Sequence, residues 1–251
     1  MDKRLERILP RVQKPARYVG GEFNAIMKDK SKVDTRVAFC FPDTYEIGMS
    51  NLGMRILYGV MNNIDGVWCE RCFAPWGDME QEMRRANIPL YALESFDPIR
   101  DFDIIAFSVG YEMAFPAMVD MLDLAGVPIF AKDRKQGDPI VICGGPCACN
   151  PEPISDFVDI FFIGDGEEDY YPLFDIYRQC GKDREEFLRR ATEIDCMYVP
   201  KYHKEGQQVN RRIIKDINKC YIPDKMVVPY AEIVHDRVVL EIMRGCIRGC
   251  R

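Results

Sequence analysis

The chain has 251 residues, of which 47% are hydrophobic and 29% charged, and its formal net charge is −6. Such a chain can bury a core of one large or two small domains, and its composition is that of a soluble globular protein. The acidic balance argues against a dedicated nucleic-acid surface; no apolar run reaches membrane-span length and the N-terminus is charged rather than signal-like, so a cytoplasmic protein is expected.

Residues 1–34 are basic and mixed, broken by Lys14-Pro15 and Gly20-Gly21, and read as an N-terminal extension with a short helix and a loop. A βα rhythm follows. Residues 36–41 form a near-continuous apolar strand ended by Pro42, and residues 50–63 place Leu52, Ile56, Leu57, Val60 and Met61 on one helical face. A second strand is predicted over 66–73 and a charged amphipathic helix over 78–86. A third strand over 103–108 leads to a helix over 115–125, with Met118, Met121 and Leu122 facing inward. Strands over 139–143 and 159–163 follow, then helices over 167–179 and 185–194. Alternating units of this kind build an open parallel sheet covered by helices, and the α/β domain, placed at 35–195, is expected to be flavodoxin-like (Rossmann-like). Residues 196–232 lose the rhythm and read as a linker with a few short strands. Residues 238–243, Val-Val-Leu-Glu-Ile-Met, are a β-rich run at the start of a further domain, 233–251.

Eleven cysteines and no secretory signal make a disulfide framework unexpected. Cys69 and Cys72, with Cys143, Cys147 and Cys149, are a poor match to a four-ligand zinc site, so buried free thiols are the default. His203 and His235 are the only histidines and read as surface or linker residues. Three strand ends carry unusual residues: Asp43, Tyr45 and Gly48 after the first, Ser108 after the third, Gly144 and Gly145 after the fourth. Ligands of open parallel sheets bind beyond such ends. Glycine allows close backbone approach, although at a strand end it is commonly only turn chemistry.

The last residues, Arg244-Gly245-Cys246-Ile247-Arg248-Gly249-Cys250-Arg251, place two cysteines four apart after the β-rich run. This resembles the opening of the CxxxCxxC motif of radical S-adenosylmethionine (radical SAM) enzymes; the bland alternative is two thiols in a tail. The third cysteine would fall two residues past Arg251, which implies a chain cut inside the motif, inactive by itself. The three strand ends are similar to the cobalamin-binding pattern DxHxxG…SxL…GG, with Tyr45 where the cobalt-ligating His would stand and Gly110 in place of Leu. Gly164-Asp165-Gly166-Glu167-Glu168 looks like the turn that ends such domains, and Gly164 and Gly166 are candidate rim contacts. Together with Lys14-Pro-Ala-Arg-Tyr-Val-Gly-Gly-Glu22 and the block from Pro42 to Gly53, the whole chain resembles the N-terminal part of cobalamin-binding-domain radical SAM proteins.

The resemblance implies a [4Fe–4S] cluster and S-adenosylmethionine, with Cys246 and Cys250 as two cluster ligands at the first strand of a radical SAM barrel. It implies a missing C-terminal barrel and an electron-donor protein as partners, and methyl transfer or a related radical reaction where cobalamin is held without histidine ligation. Two alternatives stay open: a corrinoid-binding module without chemistry of its own, and a degenerate docking domain.

Overall fold

The computed structural model describes residues 2–249. The apolar runs become strands β1 (Thr35–Phe41), β2 (Val67–Phe73), β3 (Ile104–Ser108), β4 (Ile140–Gly144), β5 (Ile160–Phe162) and β6 (Met197–Tyr198). They join one six-stranded sheet in the order β2-β1-β3-β4-β5-β6. The β1 to β5 neighbours are parallel, and β6 runs antiparallel to β5. This is the flavodoxin-like order with an added edge strand, and its direction reverses between β1 and β3. The interior of β1, β3 and β4 is apolar because strands buried on both faces have no solvent side to supply.

The helices are α1 (Lys3–Ile8), α2 (Tyr45–Ser50), α3 (Leu52–Asn62), α4 (Gly77–Ala86), α5 (Phe115–Ala125), α6 (Tyr170–Gln179) and α7 (Arg184–Ala191). Asn51 splits what reads in sequence as a loop plus one helix. It is extended (φ −82°, ψ 117°), and its side chain accepts from the Met54 N–H, capping α3 and leaving residues 45–50 as a separate turn of helix. The helix predicted from Glu167 begins at Tyr170 instead. Residues 167–169 form a turn before it, with Glu167 paired to Arg244 and Asp169 to Arg212.

β2 is an edge strand, yet every residue of it is buried. The N-terminal extension covers that edge: Trp68 Nε1–H donates to the Ile26 carbonyl and the Lys28 ammonium to the carbonyl of Val67. Farther along, the Leu93 N–H donates to the Arg71 carbonyl at 2.8 Å. An exposed row of ladder groups is thereby closed to foreign strands.

The linker lies on the domain. Phe23 and Val228 form an antiparallel bridge, Gly164 and Arg212 a parallel one. Residues 238–243 join no ladder among the described residues, and Val238, Leu240, Ile242 and Met243 are largely exposed. A strand is stable only beside a partner, and the sheet's β5 side is already taken by β6.

Candidate functional site

The carboxyl ends of β1, β3, β4 and β5 form one rim, and most of the sequence-predicted residues lie along it. Asp43 follows β1 and accepts a hydrogen bond from the Tyr111 hydroxyl, which joins the β1 and β3 loops across the switch point. That hydrogen bond, with some burial, pushes the Tyr111 phenol up to about 12. Ser108 and Gly144 are paired in register and half-buried. The Val109 N–H donates to the Gly144 carbonyl at 2.9 Å, and the Cys147 N–H to the Val109 carbonyl at 3.2 Å. The loops after β3 and β4 are therefore zipped together.

The rim glycines are accounted for by protein atoms. A Cβ on Gly145 would lie 2.6 Å from the Val109 carbonyl oxygen. One on Gly164 would strike the Arg212 carbonyl, and one on Gly48 the Phe73 ring. Gly166 packs on Tyr170, with a Cβ position 3.1 Å from its ring. Arg212 occupies the place above β5: its N–H donates to the Ile163 carbonyl (2.9 Å), its carbonyl accepts from Asp165 N–H (3.0 Å), and its guanidinium holds Asp169.

Tyr45 does not face this rim. It is 1% exposed, packs edge-on against Phe73, and donates to Glu22 at 2.9 Å. Burial and the Glu22 carboxylate raise its phenol further above the ordinary value, so it stays protonated. As arranged, the rim does not fit a corrinoid. Its tyrosine is turned inward, and three glycine clearances are filled by the chain itself. None of the principal cavities among the described residues is lined by Asp43, Ser108, Gly144 or Gly145.

Tyr45 belongs to a buried ionic network that the sequence reading missed. Arg71, in the middle of β2, donates to Glu94 at 2.7 Å and to both carboxylate oxygens of Glu22, at 3.1 and 2.8 Å. Tyr58 donates to Glu94 at 3.0 Å. Next to it Glu70 is held by Arg36. The available signal was the Glu70-Arg71 pair within an otherwise apolar strand run, since charges there are buried only when paired.

The cysteine-bearing segment reaches the same rim. Arg244 sits between Glu167, Asp165 and Glu241, and Cys246, two residues on, is exposed. Cys250 lies outside the described residues. Among the described residues no three His, Cys, Asp or Glu side chains converge as a metal site. Of the two predicted ligands Cys246 is the described one, and a cluster of this class needs three thiolates. Cys40, Cys69, Cys72, Cys143, Cys147 and Cys196 are buried, and burial pushes the Cys143 thiol up to about 12; Cys180 and Cys220 are half-buried and Cys149 is exposed.

Residues 53–200 match the family described as "Radical SAM proteins, N-terminal". The matched span is more than half of the chain and runs from α3 to β6, without β1 and without the cysteine segment. The chain belongs to the radical SAM N-terminal family. Membership therefore rests on the α/β domain and is independent of Cys246 and Cys250. A radical SAM protein implies a [4Fe–4S] cluster and S-adenosylmethionine. The chain is also 26% identical, over 225 residues, to "Uncharacterized protein MJ0966" of Methanocaldococcus jannaschii. That alignment takes in 88% of this chain and 41% of the relative, so the chain spans about two fifths of the curated relative it matches. No solved structure matches it significantly. No helix of the described residues is long and apolar enough to cross a membrane.

Proposed function

We propose that this chain is the N-terminal part of a radical SAM enzyme, in which the sheet domain is a docking scaffold and Cys246 and Cys250 give two of three cluster thiolates. The observation that carries the reading is the match of the sheet domain to the radical SAM N-terminal family. The position of Cys246 supports it: the thiol is exposed, two residues beyond Arg244, which pairs with Glu167 of the β5–α6 loop. A cluster held in part by Cys246 and Cys250 would supply the electron for reductive cleavage of S-adenosylmethionine. A low-potential one-electron donor protein would supply that electron. The chain's own residues present the thiols, bridge the rim loops through the Tyr111–Asp43 and Arg212–Asp169 contacts, and offer exposed apolar side chains such as Val238 and Ile242 to a catalytic barrel. The filled rim favours a docking role over the corrinoid-dependent methyl transfer that the cobalamin resemblance suggests.

The gene-length protein, reconstituted without oxygen, is expected to bind about four irons and to release 5′-deoxyadenosine from S-adenosylmethionine in the presence of dithionite. Cys246→Ala should abolish both. Iron uptake unaffected by Cys246→Ala would refute the ligand assignment.

A further inference from the structure

We infer that Arg244 is a positioning residue that latches the cysteine segment to the β5–α6 loop and so sets where the Cys246 thiol stands. This deepens, and rests on, the reading of Cys246 as a cluster ligand. Among the described residues the segment from Ile233 to Met243 joins no ladder that would hold its path. Its upstream anchors are the buried Ile233 side chain and the His235 N–H on the Ser50 hydroxyl, at 3.1 Å; a cavity of about 200 Å³, lined by Val239, Ile242, Leu52 and Ile56, separates the rest of it from α3. Arg244 follows, and three carboxylates converge on it. Its Nη2 lies 2.7 Å from Glu167 Oε1 and 2.7 Å from Glu241 Oε2, its Nε donates to Glu241 Oε1 at 2.8 Å, and Asp165 is 3.8 Å away. Beyond it no side chain of residues 245–249 reaches the sheet domain among the described residues, and Ile247 is 95% exposed.

The sequence of parts is latch, turn, thiol. Gly245 adopts φ 90°, which a residue with a Cβ rarely tolerates, and turns the chain directly after the latch. The Cys246 Sγ then accepts from the Arg248 N–H at 3.4 Å. Both loop acids are themselves fixed. Glu167 is nine-tenths buried, and Asp165 accepts from the Ile214 N–H at 3.0 Å. The latch is specific to arginine, because one planar guanidinium forks onto Glu241 through Nε and Nη2 while the same Nη2 lies against the Glu167 carboxylate; an ammonium lacks that fork.

The test uses the gene-length protein carrying Arg244→Lys, Arg244→Gln or Glu167→Gln. Hydrogen exchange of the apo-protein is expected to rise roughly tenfold across residues 236–249 in all three, with the β1, β3 and β4 amides unchanged as the folding control. After reconstitution, the reduced-cluster EPR signal should broaden, and kcat for S-adenosylmethionine cleavage should fall about tenfold with KM within about twofold. Unchanged exchange in Arg244→Gln overturns the latch. Faster exchange with an unaltered EPR signal and kcat overturns its positioning role. If the unsubstituted protein takes up no iron, the ligand reading of Cys246 fails, whereas the exchange result still decides the latch.

Discussion

Arg71 is a guanidinium that carries two carboxylates inside the fold. It is 2% exposed and serves Glu22 and Glu94 together, while Tyr45 and Tyr58 donate to the same two acids. Arg71→Leu is expected to destabilise the protein by about 3–5 kcal/mol, because it strands two buried charges. Urea unfolding measures this, and a loss below about 1 kcal/mol would contradict the paired-charge account. Burial alone would raise the Glu22 carboxyl, but the charge and hydrogen bonds of Arg71, with the Tyr45 hydroxyl, outweigh it and hold the group below its ordinary value. A carboxyl depressed in the folded state contributes stability that is present above its unfolded pKa, about 4.3, and lost as pH falls through the folded value. Glu70, raised chiefly by burial, works in the opposite direction. Glu22→Gln should therefore flatten the loss of stability on acidification below about pH 4.3 relative to the parent. At this scale Tyr45 was the least legible residue. In sequence it stands where a cobalt ligand would be expected, but its partner Glu22 lies in the extension, 23 positions away. Nothing local indicates that pairing.

Among the elements, β1, β3 and β4 were legible to within a residue at each end, because strands buried on both faces demand continuous apolar runs. The β-rich run at 238–243 satisfies the same local rule and joins no ladder among the described residues, since strand identity needs a neighbour as well as composition. The rim glycines show the converse. Their type was noted in sequence, but only the packed structure reveals what uses the missing side chain. Gly164, at φ 110° and against the Arg212 carbonyl, is a close backbone contact. Gly164→Ala is expected to cost more than about 2 kcal/mol and to release the linker around Arg212, read as faster proteolysis within residues 205–220. An unchanged cleavage pattern would show that the linker is held by other contacts.

For the whole molecule, the order β2-β1-β3-β4-β5-β6 puts the switch point between β1 and β3, where a ligand of such a sheet would enter. Tyr111 and Asp43 bridge that point, and the β3 and β4 loops are hydrogen-bonded to one another beside it. Hydroxocobalamin added to the protein is accordingly expected to cause no visible spectral change and to separate from it on gel filtration. Co-elution with a shifted spectrum would reverse the preference for a docking role. The N-terminal extension also has a whole-molecule role. It sheathes the β2 edge and supplies Glu22 to Arg71, so the α/β domain is incomplete without it.

What the sequence by itself determined was the layered α/β class, the position of the central strands and the cysteine spacing. These follow from periodicity and residue type, which are local quantities. The tertiary structure decided the rest: which glycines are filled by protein, where Tyr45 points, what Arg71 neutralises, and which acids meet Arg244. Each depends on residues far apart in the chain being brought within a few ångströms. Burial sets the cost of leaving a charge or a backbone group unpaired, and burial exists only once the sheet has closed over it.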